Sequence, residues 1–532
     1  MQRVHVDFCA FVLYPQTNHS PLTKRLRVHN ITVEQNAIVQ SRSDFLRVNA
    51  FAGTGKTTTL VSYAKARPRE RMVYIAFNKS IQLEAERKFG TNVKCVTSHG
   101  MAFAKYGSRY NENGKLVDRI RINQVIDALD LRGYPDQFAM YVADASLKLV
   151  NRYLCGEAAT ITEQMAASLV MANTGVSASD VVFCAQNLWR KMQDEKDGSV
   201  GMVHDGYLKL FQLSDPQLKY DRILFDEAQD ANGVTAAIVG SQACHKVIVG
   251  DSHQAIYSFR GAVNAMKMFN ATDTLYLTKS FRFGQPIAGV ANALLGTYKG
   301  EKRQIQGTDE PASIGAIDPR KPYAVISRSN ATLFDEAIGL MAQGKRLHFV
   351  GGIQGYRMGD LLDTYNLYSG QTDRIQSSHL KSFSDFEAAS DYAVLSDDKE
   401  LKSLIGLVKR HTSRLPHLIS QLKKADVSDP LQAHVFLTTA HKSKGLEWDQ
   451  VKLADDYMAL LDPYKKPRKL NLGEDEDVNI LYVAATRARK SLQPFPELND
   501  LLAHKALETA VLQRASKMPE WARPLPSGTG RR

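Results

Sequence analysis

The amino-acid sequence predicts an α/β protein with two parallel sheets, each interrupted by a mostly helical insertion. Three observations carry this reading. Short apolar runs alternate with helical patterns near the start of the chain and again in its second half, the signature of parallel strands joined by right-handed crossovers. Two stretches between them show apolar residues at helical spacing and few strand signals. A glycine-rich segment sits between the first strand and the helix that follows it. The 532 residues allow about three domain lengths. A hydrophobic fraction of 44% and a charged fraction of 23% exclude a mainly disordered, collagenous or coiled-coil chain. No apolar run approaches the roughly 18 residues that a membrane span requires. Met1–Ala10 lacks the apolar core of a signal peptide.

Taken in order, Phe45–Ala50 reads as a strand, Lys56–Lys65 as a helix, Met72–Phe77 as a strand, Ser80–Phe89 as a helix and Val93–Thr97 as a strand. From Met101 to Leu213 the pattern turns helical, as in Ala143, Leu147, Val150 and Leu154. Strands return at Arg222–Phe225 and Lys246–Val249. A second alternating region has strand candidates at Thr274–Thr278, Tyr323–Ser327, Val435–Thr439, Val451–Ala454 and Ile480–Ala484. A smaller helical stretch rich in Ser and Asp lies between Gly351 and Pro430. The expected domains are therefore 1–100 with 205–262, a helical insertion 101–204, a second domain 263–345 with 432–500, a small insertion 346–431, and a tail 501–532. Pro519–Arg532 reads as a disordered end. No internal repeat is seen.

Lys+Arg 68 against Asp+Glu 56 leaves a net charge of +12, and the pI is near 9.2. That balance favours a polyanionic partner, nucleic acid above all. The five cysteines are odd in number and form no Cys-x-x-Cys pair. A disulfide framework or structural zinc is not expected, and a reducing compartment fits. The histidines show no metal-binding spacing, and no zinc or iron–sulfur cluster is expected.

The strongest local signal is Ala50-Phe51-Ala52-Gly53-Thr54-Gly55-Lys56-Thr57. Gly53 and Gly55 let backbone N–H groups curl around phosphate oxygens, with Thr54 between them and Thr58 following. Lys56 reaches the β- and γ-phosphates, and the Thr57 hydroxyl suits Mg²⁺. The full pattern has glycine where Ala50 stands. The second signal is the apolar strand Arg222–Phe225 ending in Asp226-Glu227. Ligands of open parallel sheets bind at the carboxyl ends of strands. Asp226 there can hold the Mg²⁺ shell, and Glu227 can deprotonate a water that attacks the γ-phosphate.

Asp226-Glu227-Ala228-Gln229-Asp230 resembles motif II of superfamily 1 helicases of the UvrD/Rep type. Further segments resemble that family in the same order. Val33-Glu34-Gln35 is similar to its glutamine motif, in which Gln35 reads adenine. Ala76-Phe77-Asn78-Lys79-Ser80 and Thr97-Ser98-His99-Gly100 resemble its DNA-contacting motifs. Gly250–Ala262 resembles motif III, Ser280-Phe281-Arg282 motif IV, Thr439–Trp448 motif V and Tyr482–Ala488 motif VI. The resemblance spans about Ile31 to Leu492. Within it the sequence is most similar to the helicase part of the F-box DNA helicases, on Ala76–Ser80, His204-Asp205-Gly206-Tyr207 and His441–Trp448. No F-box segment is seen, so the ubiquitin-ligase role of that branch is not carried over.

The resemblance implies two RecA-like motor domains with ATP and Mg²⁺ between them. It makes Arg282 and Arg487 arginine fingers and Gln254 the γ-phosphate sensor. Phe281 stacks on the base, and Glu447 lies near the ribose and phosphates. It makes Tyr257 and Phe259 the pair that stacks on DNA bases, the second being Trp in most of the family, with Phe77, Asn78, His99 and His441 as further DNA contacts. The basic run Lys465–Lys469 reads as a solvated loop. The implied activity is ATP-dependent 3′→5′ movement on single-stranded DNA and at junctions with duplex, in repair, recombination or replication. Recombinase or other DNA-bound proteins are candidate partners. The expected location is the cytoplasm, at the nucleoid, or the nucleus in a eukaryote. Three other readings stay open: a motor that mainly strips proteins from DNA, a non-catalytic nucleic-acid-binding protein, and a P-loop NTPase without a nucleic-acid role.

Overall fold

The computed structural model describes residues 31–170, 175–395, 398–457 and 472–517. The first 30 residues, the basic run Lys465–Lys469 and the tail Pro519–Arg532 lie outside them. The chain forms two units. One holds the described residues up to Thr278 together with Asn366–Asp398; the other holds Lys279–Tyr365 and the residues from Lys399 onward.

The first unit is built on a six-stranded sheet of β1 (Phe45–Ala50), β2 (Met72–Ala76), β3 (Val93–Thr97), β4 (Arg222–Phe225), β5 (His245–Gly250) and β6 (Asp273–Leu277), in the order β3-β2-β4-β5-β1-β6. Every pairing is parallel. Successive side chains face opposite sides of a strand, so each strand feeds two cores. Leu46, Val48, Tyr74, Leu224 and Val247 face one way, packing with Leu60 and Tyr63 of helix α2 (Lys56–Lys65). Val73, Ile75, Ile223, Phe225 and Ile248 face the other. This double burial is why the strands read as near-continuous apolar runs.

Helix α1 (Val33–Gln40) starts at a capping box formed by Thr32 and Gln35, and α3 (Lys79–Glu86) at the Asn78 side chain. The helical insertion follows β3. Its long members are α4 (Asp136–Cys155) and α5 (Ala178–Gln193), and α6 (His204–Leu213) leads back to the sheet. They share a core with Val234 and Ile238 of α7 (Gly233–Gly240), so α7 joins insertion and sheet. Among the described residues the insertion carries only a two-stranded ladder of Leu116–Val117 with Met202–Val203.

The second unit is built on a second all-parallel, six-stranded sheet: β7 (Ser313–Ile314), β8 (Tyr323–Ser327), β9 (Leu347–Phe349), β10 (Val435–Thr439), β11 (Trp448–Leu453) and β12 (Ala488–Gln493), in the order β7-β12-β11-β8-β10-β9. Its helices include α8 (Gln285–Leu294), α9 (Asn330–Ala342), α10 (Lys399–His411), α11 (Leu415–Ala425) and α12 (Leu472–Ala485). Helix α10 buries Leu401, Leu404, Ile405 and Val408, the one-faced spacing of an amphipathic helix. No described helix is long and apolar enough to cross a membrane.

Two expected elements differ. Ile480–Ala484, expected as a strand, lies inside α12. Its run is buried on all sides, and a fully buried apolar run does not distinguish helix from strand. The strand expected at Thr274–Thr278 forms, but it belongs to the first sheet as β6, paired with β1 from Leu46↔Asp273 to Ala50↔Leu277. Thr278 then closes onto α1, its N–H and hydroxyl donating to Glu34 at 2.7 and 2.8 Å.

Candidate nucleotide and nucleic-acid site

In the first sheet β5 lies between β4 and β1, so the loops leaving the carboxyl ends of these three strands are neighbours. The loop after β1 turns through Gly53 (φ 75°) and Gly55 (φ 78°), left-handed conformations that glycine adopts without a Cβ penalty. Ala50 is still inside the ladder, paired with Leu277. Its backbone is not left-handed, which is why alanine is accommodated where the family pattern has glycine. The buried Thr54 hydroxyl donates to Phe51 O at 2.8 Å, so Thr54 shapes the loop, while Thr58 is exposed. Gly55 caps α2 with no side-chain acceptor, which leaves first-turn amides available to an anion.

The carboxylates after β4 meet this loop. Lys56 Nζ lies 3.3 Å from Glu227 Oε1. Asp226 Oδ2 accepts from the Thr57 hydroxyl at 3.0 Å and from Tyr74 OH at 2.8 Å. Glu227 itself is left-handed (φ 50°), an uncommon state for a non-glycine residue. Gln229 ties the acids together: its amide donates to Glu227 Oε2 at 2.6 Å and to Asp230 Oδ2 at 3.1 Å, and its carbonyl accepts from Asp251 N at 3.0 Å. Gln254, after β5, donates to Asp251 Oδ2 at 2.7 Å. Burial alone would lower the Lys56 ammonium, but the carboxylates of Glu227, Asp251 and Asp226 outweigh it and hold Lys56 above its ordinary range. Burial, with Glu227 beside it, pushes the Asp226 carboxyl up, against the pull of Lys56 and of the Tyr74 and Thr57 hydroxyls. The hydroxyl of Thr57 and the carboxylate of Asp226 form a hard-oxygen donor set that fits Mg²⁺.

Gln35 is buried, and its side chain is turned onto Thr32 N–H at 3.0 Å and Thr59 Oγ1 at 3.2 Å. Tyr74, Gln229 and Asp251 had no role in the sequence reading. Gln229 and Asp251 stand inside quoted motifs, whereas Tyr74 carries no signal beyond that of a strand residue.

The aromatic residues of the same unit form a graded stack. Phe77 and Tyr257 are parallel, with ring centroids 5.6 Å apart and 14° between planes. Phe259 follows at 6.2 Å and 57° and is 66% exposed. The Arg260 guanidinium lies 5.7 Å from the Tyr257 ring and 5.6 Å from the Phe259 ring. His99 Nε2 is 3.0 Å from Asp205 Oδ1, and its ring meets Tyr207 edge-on. Asn78 accepts from Ile81 N with its side-chain oxygen, so part of that amide is spent on capping.

The remaining predicted residues belong to the second unit. Arg282 Nε donates to Glu447 Oε2 at 2.9 Å, and Nη1 to Thr486 O at 3.3 Å. Phe281 beside it is exposed. Arg487 is 1% exposed; its Nε donates to Val483 O at 2.8 Å and Nη1 to Leu446 O at 3.4 Å. His441 lies on the short helix Ala440–Ser443 that follows β10.

Two parallel six-stranded sheets, with a glycine-rich loop meeting an Asp-Glu strand end in one of them, are the build of the P-loop class of α/β proteins. Residues 156–274 match the UvrD/REP helicase N-terminal domain and residues 357–493 the UvrD-like helicase C-terminal domain. The chain is 34% identical over 508 residues to F-box DNA helicase 1 of Gallus gallus, covering 89% of this chain and 50% of that protein. It is 31% identical over 538 residues to F-box DNA helicase protein 1 of Schizosaccharomyces pombe, covering 88% and 60%. With ATP-dependent DNA helicase UvrD2 of Mycobacterium tuberculosis it shares 24% identity over 346 residues, covering 52% and 47%. The chain belongs to the UvrD-like helicase family. It spans between half and three fifths of the length of the two F-box helicases it matches.

Proposed function

We propose that this chain is an ATP-dependent DNA helicase that moves 3′→5′ along single-stranded DNA in repair, recombination or replication. The observation that carries this is the meeting of Lys56, Thr57, Asp226 and Glu227 at neighbouring strand ends, in a chain of the helicase family. The amides of the Gly53–Thr57 loop and the Lys56 ammonium bind the ATP phosphates. Thr57 and Asp226 would hold Mg²⁺, which would supply charge neutralisation for the phosphates. Glu227 takes a proton from the attacking water as its oxygen bonds to the γ-phosphorus and the bond to the ADP oxygen breaks. Gln254 orients at the γ-phosphate, and Arg282 and Arg487 are assigned as transition-state cations on the motif match. Gln35 and Phe281 receive the adenine, and Glu447 the sugar side. Tyr257 and Phe259 stack on bases, with Phe77, Asn78, His99 and His441 along the strand.

The test is ATP hydrolysis with and without single-stranded DNA, followed by unwinding of partial duplexes bearing a 3′ or a 5′ tail. Stimulation by DNA and opening from the 3′ tail are expected, and both should vanish in Lys56→Ala. Opening only from the 5′ tail would overturn the direction. Hydrolysis indifferent to DNA would overturn the motor.

A further inference from the structure

The mechanism leaves several buried cations unused, and Lys209 is the most deeply buried of them. Lys209, on α6, is 0% exposed. Its ammonium donates to Gly156 O at 2.8 Å and to Ala158 O, and lies 4.5 Å from the centre of the Tyr153 ring. These groups belong to the end of α4 and the turn after it, where Tyr153 OH also donates to Ala159 O at 3.0 Å. A lone ammonium buried among apolar residues is costly. Here two carbonyls, an aromatic face and the nearby Glu157 compensate it, and together they fix that turn.

The turn held by Lys209 is a seat for two others. A β-carbon at Gly261, the residue after Arg260, would stand 2.4 Å from Cys155 Cβ. A β-carbon at Gly233, at the start of α7, would stand 3.0 Å from Cys155 O and from Glu157 N. The DNA-stacking turn and the helix after the Asp-Glu strand end therefore both close against the segment that Lys209 clamps. One turn earlier on α6, Asp205 holds His99.

We propose that Lys209 is a positioning residue for single-stranded DNA: by fixing the turn after α4 it sets the seat of the Tyr257–Gly261 aromatic turn. The ammonium touches neither nucleotide nor DNA and acts through Cys155 and Gly261. This rests on the helicase reading above. The insertion helix α4 thereby becomes part of the DNA-capture apparatus rather than an appendage of the sheet.

The full chain is assayed at pH 7 with an oligo-dT strand. Lys209→Met keeps the bulk of the side chain and removes its donors. It should raise the DNA concentration that half-maximally stimulates hydrolysis by about tenfold, with DNA-independent turnover within about twofold of the parent. Gly261→Ala, which disturbs the same seat from the other side, should raise that half-saturating concentration as well and provides the test if Lys209→Met does not fold. In the double variant the two effects should fall short of multiplying, because both act on one contact. Hydrogen exchange should rise in both 155–159 and 257–263 of Lys209→Met. An unchanged half-saturating concentration, fully multiplicative effects, or exchange confined to 155–159 would overturn the proposal. A parent protein without DNA stimulation would instead overturn the helicase reading on which it rests.

Discussion

Phe259 separates a DNA-binding role from a structural one, because the two predict effects in different assays. The ring is 66% exposed, so folding hides only a minor part of it. A phenylalanine buries roughly 150–250 Å² when fully covered. At about 25 cal/mol per Å², the covered part amounts to at most about 2 kcal/mol of folding stability, an upper estimate for an extended reference chain. Stacking on a base is worth about 1–3 kcal/mol, or about 5- to 150-fold in Kd. Phe259→Ala should therefore melt within a few degrees of the parent while its affinity for labelled oligo-dT falls at least fivefold. The slope of log Kd against log salt should not change, because that slope counts neutralised phosphates and none is lost. An affinity within twofold of the parent, measured by fluorescence anisotropy, would refute the stacking role. A lowered salt slope would mean that Phe259 acts through the neighbouring Arg260 rather than through its own ring.

Glu227→Gln should abolish steady-state hydrolysis but retain nucleotide binding, since the Lys56 ammonium and the loop amides remain; near-parental turnover in a phosphate-release assay would remove Glu227 as the base. Arg487→Ala should lower turnover on the order of 10³-fold. It should also lose about 1–3 kcal/mol of stability, because a buried side chain that donates to Val483 O and Leu446 O is removed; a variant as stable as the parent in denaturant would contradict those bonds. Burial lowers the Lys209 ammonium to about 8 from 10.5, so between those values the unfolded chain carries a proton that the folded chain lacks. Stability should then rise with pH across that window, by at most about 1.4 kcal/mol per pH unit. The difference in melting between parent and Lys209→Met should follow that rise; a difference that does not vary with pH would refute the shift.

The sequence exposed those parts of the molecule whose physics is local. Buried parallel strands appear as apolar runs, so β1 to β5 and the strands Tyr323–Ser327, Val435–Thr439 and Trp448–Leu453 could be anticipated at or near their bounds. The Gly53–Thr57 loop was legible because glycines, lysine and hydroxyl fall within one turn between a strand and a helix. Ile480–Ala484 misled because burial on all sides erases periodicity. The sheet to which Asp273–Leu277 belongs is a matter of pairing with β1, and alternation along the chain carries no information about partners. β12 was missed because Arg489 and Lys490, exposed in its middle, interrupt the apolar run. Two of the unread residues share one trait: Tyr74 meets Asp226 across 152 positions and Lys209 meets Gly156 across 53. Such contacts leave no mark on either local sequence.

The charge of the chain and the charge of its nucleotide site point in opposite directions, and the contrast bears on how the site is held before its ligands arrive. The chain as a whole is basic, at +12, which draws polyanions to it. Around Lys56, however, stand Asp226, Glu227 and Asp251, three acids to one ammonium. Buried carboxylates in that number require donors, and the structure provides them: Thr57 and Tyr74 for Asp226, Gln254 for Asp251, Gln229 and Lys56 for Glu227. Of these, Thr57, Lys56 and Gln254 are the groups that the proposed phosphate and metal chemistry would claim. Tyr74 and Gln229 have no part in that chemistry and would keep their bonds to Asp226 and Glu227 if the others were drawn away. The tyrosine and the glutamine would thus hold the acids in order while their other partners exchange. Glutamine and tyrosine suit that task better than further lysines, which would fix the acids by charge and compete with the metal for Asp226.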